Sequence, residues 1–367
     1  MKIFSQKIKS GIIIIFFILI ILFTSKKKIG VICLNHGYNI GNSLLQYAMS
    51  IKLKELGLIP YMIGTNNQNK KKPFLKKYTN CVVIKNNFSE IKKNEYDLLM
   101  VNSDQTWRKF SIHFHDIAFL KFAQNWKIPK FVYGASLGYS DWRLSEEDDK
   151  MGKNLLRQFS GISVREKGSV GLVEAHFGIK PIFVLDPTLL IDKRYYLKII
   201  KNFKINNSKI PYIFIYILRK ENNIKKYIRY ASEQLKYRIV KVELEEIYSV
   251  EKFIYGIYNC KAVITNSYHG TLFSIIFNKP FVSFIAKNSA KERFISLKDT
   301  LKIKNRIFEY NEFPNINLLT KPFYLNQTLL NLLKNKSIKK KYRNKLKKVN
   351  YYYFIFIKNE IFYNCLK

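Results

Sequence analysis

The sequence predicts an α/β protein made of two parallel-sheet halves, and three observations carry that prediction. From Ile29 onward, short β-branched and apolar runs alternate with segments of helical periodicity. Those runs are apolar throughout, as strands buried on both faces must be, and a parallel sheet covered by helices is where such strands occur. The alternation restarts after a polar stretch near mid-chain, and 367 residues with 47% hydrophobic and 15% aromatic content suffice for two cores.

In the first half, "IGVICL" reads as a buried strand and "GYNIGN", holding Asn39 and Gly41, as a loop where a ligand can approach the backbone. "SLLQYAMSIKLKEL" follows with helical spacing and stops at Gly57. The same unit recurs around "YDLLMVNSDQTW", "KFVYGASLG" and "SGISVREKGSVGLVEAHFG", and "PIFVLDPTLLI" closes the half. A lysine- and asparagine-rich stretch, roughly Lys198 to Lys209, marks the crossing, so the expected division is 29–197 and 198–330. The second half runs through "PYIFIYIL", a helix over "NNIKKYIRYASEQLKY", a strand "RIVKVEL" and a helix around "SVEKFIYGIYNC". It then reaches "KAVIT" as a strand, "NSYHG" as a turn and "TLFSIIF" as a helix.

The two ends differ from this body. Residues 1–28 form a hydrophobic leader whose apolar run, Gly11 to Phe23, is flanked by lysines and spans roughly 20 Å as a helix. No small-residue cleavage site follows, so a membrane anchor with the rest of the chain in the cytoplasm is expected. Residues 331–367 are polybasic and then aromatic, fit either to pack on the body or to meet anionic lipid. The net charge of +38 comes chiefly from lysine and favours anionic partners. No nucleic-acid-binding signature accompanies it, so no nucleic-acid partner is expected. Four widely spaced cysteines (33, 81, 260 and 365) exclude a disulfide framework and suit a reducing compartment. His113 and His115 form an HxH pair with no further ligand cluster, and no metal site is expected.

Ligands of open α/β sheets bind outside the carboxyl ends of strands, which directs attention to three loops. In "NSYHGT", Gly270 and Thr271 are expected at a helix N-terminus that favours an anion, with Asn266, Ser267 and Tyr268 beside it. His269 then stands where it can pass a proton near neutral pH, or else caps the helix. In "SVREKGS", Arg165 offers a planar fork to a carboxylate or phosphate, or pairs with a neighbouring acid. In "VNSDQTW", Asp104 and Gln105 are placed to bond a hydroxylated acceptor or to cap the next element.

Together these motifs resemble the polysaccharide pyruvyl transferase family. The resemblance is carried in order by "NIGNSLLQYA", "SDQTW", "YGASLG", "SVREKGS", "LDPTLL" and "TNSYHGT", within Ile29 to Arg306. The chain departs from the family in "IGNS" and in Asn266, where an Asp is common. The resemblance implies a GT-B-like fold of two Rossmann-like domains facing a central cleft. It also implies transfer of the pyruvyl carbons of phosphoenolpyruvate to a sugar of a glycan or a lipid-linked oligosaccharide as a ketal, with no cofactor. By match to the family motifs, Arg165 binds the donor anion and His269 lies against the donor, with Arg293 a further cation of the cleft. "GNSLLQYA" also resembles part of some fucosyltransferases, so a nucleotide-sugar glycosyltransferase is the competing enzyme reading, and a non-catalytic family member is a third.

Overall fold

Strands buried on both faces and helices with one apolar stripe pack here into two parallel α/β layers. The structure, a computed structural model, describes residues 27–34, 39–65, 73–79, 82–109, 114–203, 210–241 and 249–323. The first half contains β1 (Lys28–Ile32), α1 (Ile40–Glu55), β2 (Ile59–Thr65), α2 (Pro73–Thr79), β3 (Val82–Lys85) and β4 (Leu98–Val101). It continues with α3 (Phe114–Phe119), β5 (Lys130–Ala135), α4 (Glu146–Leu156), β6 (Gly161–Val164), α5 (Gly168–Phe177), β7 (Ile182–Phe183) and α6 (Lys193–Ile200). The second half holds β8 (Tyr212–Tyr216), α7 (Asn222–Leu235), β9 (Arg238–Lys241), α8 (Val250–Asn259) and β10 (Ala262–Thr265). It ends with α9 (Tyr268–Ile276), β11 (Phe281–Ile285), α10 (Glu292–Leu301) and β12 (Ile307–Glu309).

The first sheet has the order β3-β2-β1-β4-β5-β6-β7 and the second β12-β11-β10-β8-β9, with every pairing parallel. In each, the winding direction reverses once: between β1 and β4 in the first sheet and between β8 and β10 in the second. Such switch points open a crevice at the carboxyl ends of the strands.

Most helices bury a single stripe, as α7 does with Ile224, Tyr227, Ile228 and Ala231 at spacings of three and four. Helices α1 and α9 instead are buried almost all round. They lie between the sheets, in one apolar core that joins Leu44 and Tyr47 to Leu272 and Phe273. An aromatic chain bridges the halves: Tyr47 to Tyr196 at 6.1 Å, Tyr196 to Phe273 at 4.9 Å, and Phe273 to Phe253 at 5.6 Å. The Tyr196 hydroxyl, fully buried, donates to the Thr188 carbonyl at 2.8 Å. The two halves are therefore welded along one side by aromatic packing, and the crevice survives only beyond the strand ends.

Two local expectations change. The helix after β10 begins at Tyr268, three residues before Thr271, because Ser267 caps it. Lys198 to Ile200 belong to the end of α6 and not to a linker. Residues 1–26 of the leader, the tail, Cys81, Cys365, His113 and half of the crossing fall outside the described residues, and Lys28, the last leader residue, instead opens β1. Among the described residues, no helix is long and apolar enough to cross a membrane.

Candidate active site

The site grows from the two switch points. After β10, the Ser267 hydroxyl accepts from the Gly270 amide at 3.3 Å and fixes the start of α9. The Gly270 and Thr271 amides are thereby consumed, the latter by the Ser267 carbonyl. The amides left without an intrahelical acceptor are those of Tyr268 and His269, two residues earlier than the sequence implies. Thr271 is structural: its hydroxyl donates to the Ser267 carbonyl and shares a 2.6 Å bond with Ser283. Asn266 is structural too, accepting from the Leu218 amide at 2.7 Å and donating to the Arg219 carbonyl at 2.7 Å. It thus ties β10 to the loop after β8 across the second switch point.

His269 is 4% exposed, and its Nε2 atom has no hydrogen-bond partner. Asp186 stands 3.9 Å from that nitrogen. Burial holds the imidazole below the usual histidine range, with Asp186 and Asp104 opposing and Arg165 and Arg293 assisting. The ring is therefore neutral at neutral pH and suited to receive a proton.

The imidazole lies directly on the backbone of Gly41, the second residue of α1. A β-carbon at that position would sit 2.8 Å from Cε1 and closer still to Cγ and Nδ1. Gly41 is thus the contact through which the first switch point meets the second. Asn39 caps α1, its side chain accepting from the Asn42 amide. Asn42 in turn donates to Asp104 Oδ2 at 3.0 Å and accepts from Gln46 at 2.5 Å. Asp104 holds a backbone φ of 100°, a region disfavoured for any side chain, and such strain gathers at functional sites.

Arg165, 3% exposed at the end of β6, is not an open fork. Asp186 meets Nη1 at 2.6 Å, Glu166 meets Nε at 3.4 Å, and Asp104 lies 3.6 Å from Nη2. Burial opposes its charge, yet these acids, Asp186 foremost, hold the guanidinium above its ordinary pKa. Burial pushes the Glu166 carboxyl up despite Arg165. Arg293, early in α10, is the less committed cation: among the described residues no carboxylate pairs with it, and its Nε is buried without a partner. Burial, then Arg165, lowers its pKa. Both guanidinium groups approach the Tyr268 ring, at 5.0 Å for Arg165 and 5.2 Å for Arg293.

The halves meet at two further points. A β-carbon on Gly138 would sit 3.2 Å from that of Ala290, beside Gln105, whose Nε2 is buried without a partner. The Lys167 amide donates to Ser296 at 3.1 Å. Outside Ala290 a cleft of about 590 Å³ opens, lined by Tyr139, Arg143, Lys287, Asn288, Lys291 and Tyr310.

The structure thus brings His269, Arg165, Arg293, Tyr268, Asp104, Gln105 and Gly41 together, and assigns Asn39, Asn266, Ser267, Gly270 and Thr271 to holding the turns. Sequence reasoning missed Asp186, Glu166 and Asn42 as site members. "DPT" carries a cap signature for Asp186, but a capping Asp has no visible link to an arginine 21 positions earlier. No cluster of metal-binding side chains occurs among the described residues, and His115 instead bonds Asp148 at 2.7 Å.

Comparison with known proteins agrees with this architecture. No curated protein sequence matches the chain. A Listeria monocytogenes protein described as a UDP-N-acetylglucosamine 2-epimerase is similar in structure, with a TM-score of 0.51 at 9% identity, covering 86% of this chain and 89% of that one. Two further solved structures are a Neisseria meningitidis UDP-GlcNAc 2-epimerase bound to UDP-GlcNAc and an E. coli ADP-heptose heptosyltransferase II. The first has a TM-score of 0.47 at 11% identity, covering 87% and 93%. The second has 0.40 at 12%, covering 84% and 99%. At these identities the likeness concerns the fold alone, a GT-B-like pair of parallel α/β layers. The sequence model of polysaccharide pyruvyl transferase matches residues 39–288, which include α1, Asp104, Arg165, Asp186 and His269. The chain belongs to the polysaccharide pyruvyl transferase family, a family of transferases.

Proposed function

We propose that the protein transfers the pyruvyl carbons of phosphoenolpyruvate to two hydroxyls of one sugar in a cell-surface glycan or its lipid-linked precursor. The observation that carries this reading is a neutral, buried imidazole at the helix N-terminus of the second switch point, with one arginine after β6 and one in α10 acting on it. One sugar hydroxyl adds to C2 of the enol phosphate while C3 gains a proton, and a second hydroxyl displaces phosphate. Two C–O bonds form and one breaks; one hydroxyl proton ends on the new methyl group and the other on phosphate. His269 takes the first hydroxyl proton and returns it to C3. Arg293, the Arg165 Nη2 atom and the amides of Tyr268 and His269 hold the carboxylate and the departing phosphate. The acceptor enters by the cleft beside Tyr139 and Tyr310.

The test incubates the full chain with phosphoenolpyruvate and candidate glycans and follows phosphate. Acceptor-dependent release is expected, lost in His269→Ala and reduced about 100-fold in Arg293→Met. Turnover of a nucleotide-sugar with phosphoenolpyruvate untouched overturns the reading. Attachment to a membrane through residues 1–28 is a separate proposal that rests on composition. A chain beginning at Lys26 that still sediments with membranes removes the leader as its sole anchor.

A further inference from the structure

Asp186 occupies a place that capping alone does not explain. Its Oδ1 accepts from the Thr188 amide at 2.9 Å and from the Thr188 hydroxyl at 2.7 Å, as a cap of the following 3-10 turn does. Its Oδ2 does something else: it accepts from Arg165 Nη1 at 2.6 Å and faces His269 Nε2 at 3.9 Å. The carboxylate is buried, and both of its oxygens are oriented by bonds that leave no rotation free. One anion therefore lies between the deeply buried Arg165 and the His269 imidazole.

We propose that Asp186 is the positioning residue of this site: it locks the Arg165 fork in plane and provides the counter-charge that His269 needs on receiving a proton. This assignment rests on the reading of His269 as the proton carrier. Four charged groups among the described residues act on the imidazole. Asp186 and Asp104 favour its charged form, Arg165 and Arg293 oppose it, and Gly41 of α1 presents only backbone to the other edge. With Arg165 shared among three acids, removal of Asp104 leaves an anion nearer the ring. Removal of Asp186 leaves Asp104 alone to offset both arginines. The geometry therefore singles out Asp186 over Asp104.

The experiment titrates His269 by NMR in the ligand-free full chain and measures the pH profile of phosphate release in parallel. In Asp186→Asn, of the same shape without the charge, the imidazole midpoint moves to lower pH. The acidic limb of kcat/KM moves with it, and kcat falls about 100-fold as Arg165 loses its plane. Thr188→Val removes one Oδ1 bond and keeps the charge, so it shifts the midpoint in the same direction by less. This variant decides the matter if Asp186→Asn does not fold. A folded Asp186→Asn, or failing that a Thr188→Val, whose His269 midpoint is unchanged overturns the assignment. A shifted midpoint in a protein that leaves phosphoenolpyruvate untouched supports the placement of Asp186 and removes the pyruvyl-transfer reading instead.

Discussion

Replacing Gly41 with Ala tests the contact that joins the two switch points. The added β-carbon would lie 2.8 Å from His269 Cε1 and closer to two other ring atoms, where ordinary contacts begin near 3.4 Å. Relief requires the ring or the first turn of α1 to move by about 1 Å, because the ring is 4% exposed and wedged against Tyr268 at 5.5 Å between centroids. Overpacking of this kind costs about 1–3 kcal/mol, and the better helix propensity of Ala returns at most about 1 kcal/mol. The net loss is about 0–3 kcal/mol, with activity down about 100-fold from a misplaced imidazole. Gly171, in α5 with nothing within 4 Å of its would-be β-carbon, is the control, and Ala there is neutral or stabilising by up to about 1 kcal/mol. Urea midpoints of both variants, with phosphate release measured on each, decide the matter. Full stability and activity in Gly41→Ala would show that the imidazole is not held by this contact.

Two further outcomes follow from the buried charges. Arg165→Met leaves Asp186, Glu166 and Asp104 without their shared cation and destabilises the fold by about 3–5 kcal/mol, while adding Asp186→Leu restores part of the loss. A single-variant loss below about 1 kcal/mol in urea unfolding contradicts this. His269 binds its proton less readily when folded than when unfolded, so its stabilising effect is complete above about pH 6.5 and is lost as pH falls from there toward the depressed folded value. Glu166 and Glu292, both raised by burial, act with the opposite sign: they stabilise below pH 4.5 and lose that effect as pH rises through their folded values. Between pH 7 and 5, His269→Gln therefore loses less stability on acidification than the parent, and equal slopes in unfolding titrations refute the assignment.

The sequence by itself determined what local and periodic signals encode. Apolar runs such as "YIFIY" and "AVIT" can be stable only as strands buried on both faces, so two parallel α/β layers were legible. Strand-to-loop transitions marked Asp104, Arg165 and His269, because ligands gather at carboxyl strand ends. The start of α9 was misread since Tyr268, His269 and Gly270 look like a polar turn until the Ser267 cap is seen. Only the tertiary structure decided that Asn266 fastens two strands, that Arg165 is committed to three acids while Arg293 is not, and that Gly41 carries the His269 ring. Apart from the adjacent Arg165–Glu166 pair, those facts join residues tens to hundreds of positions apart. Pairing and close contact depend on distance in space, which no spacing along the chain records.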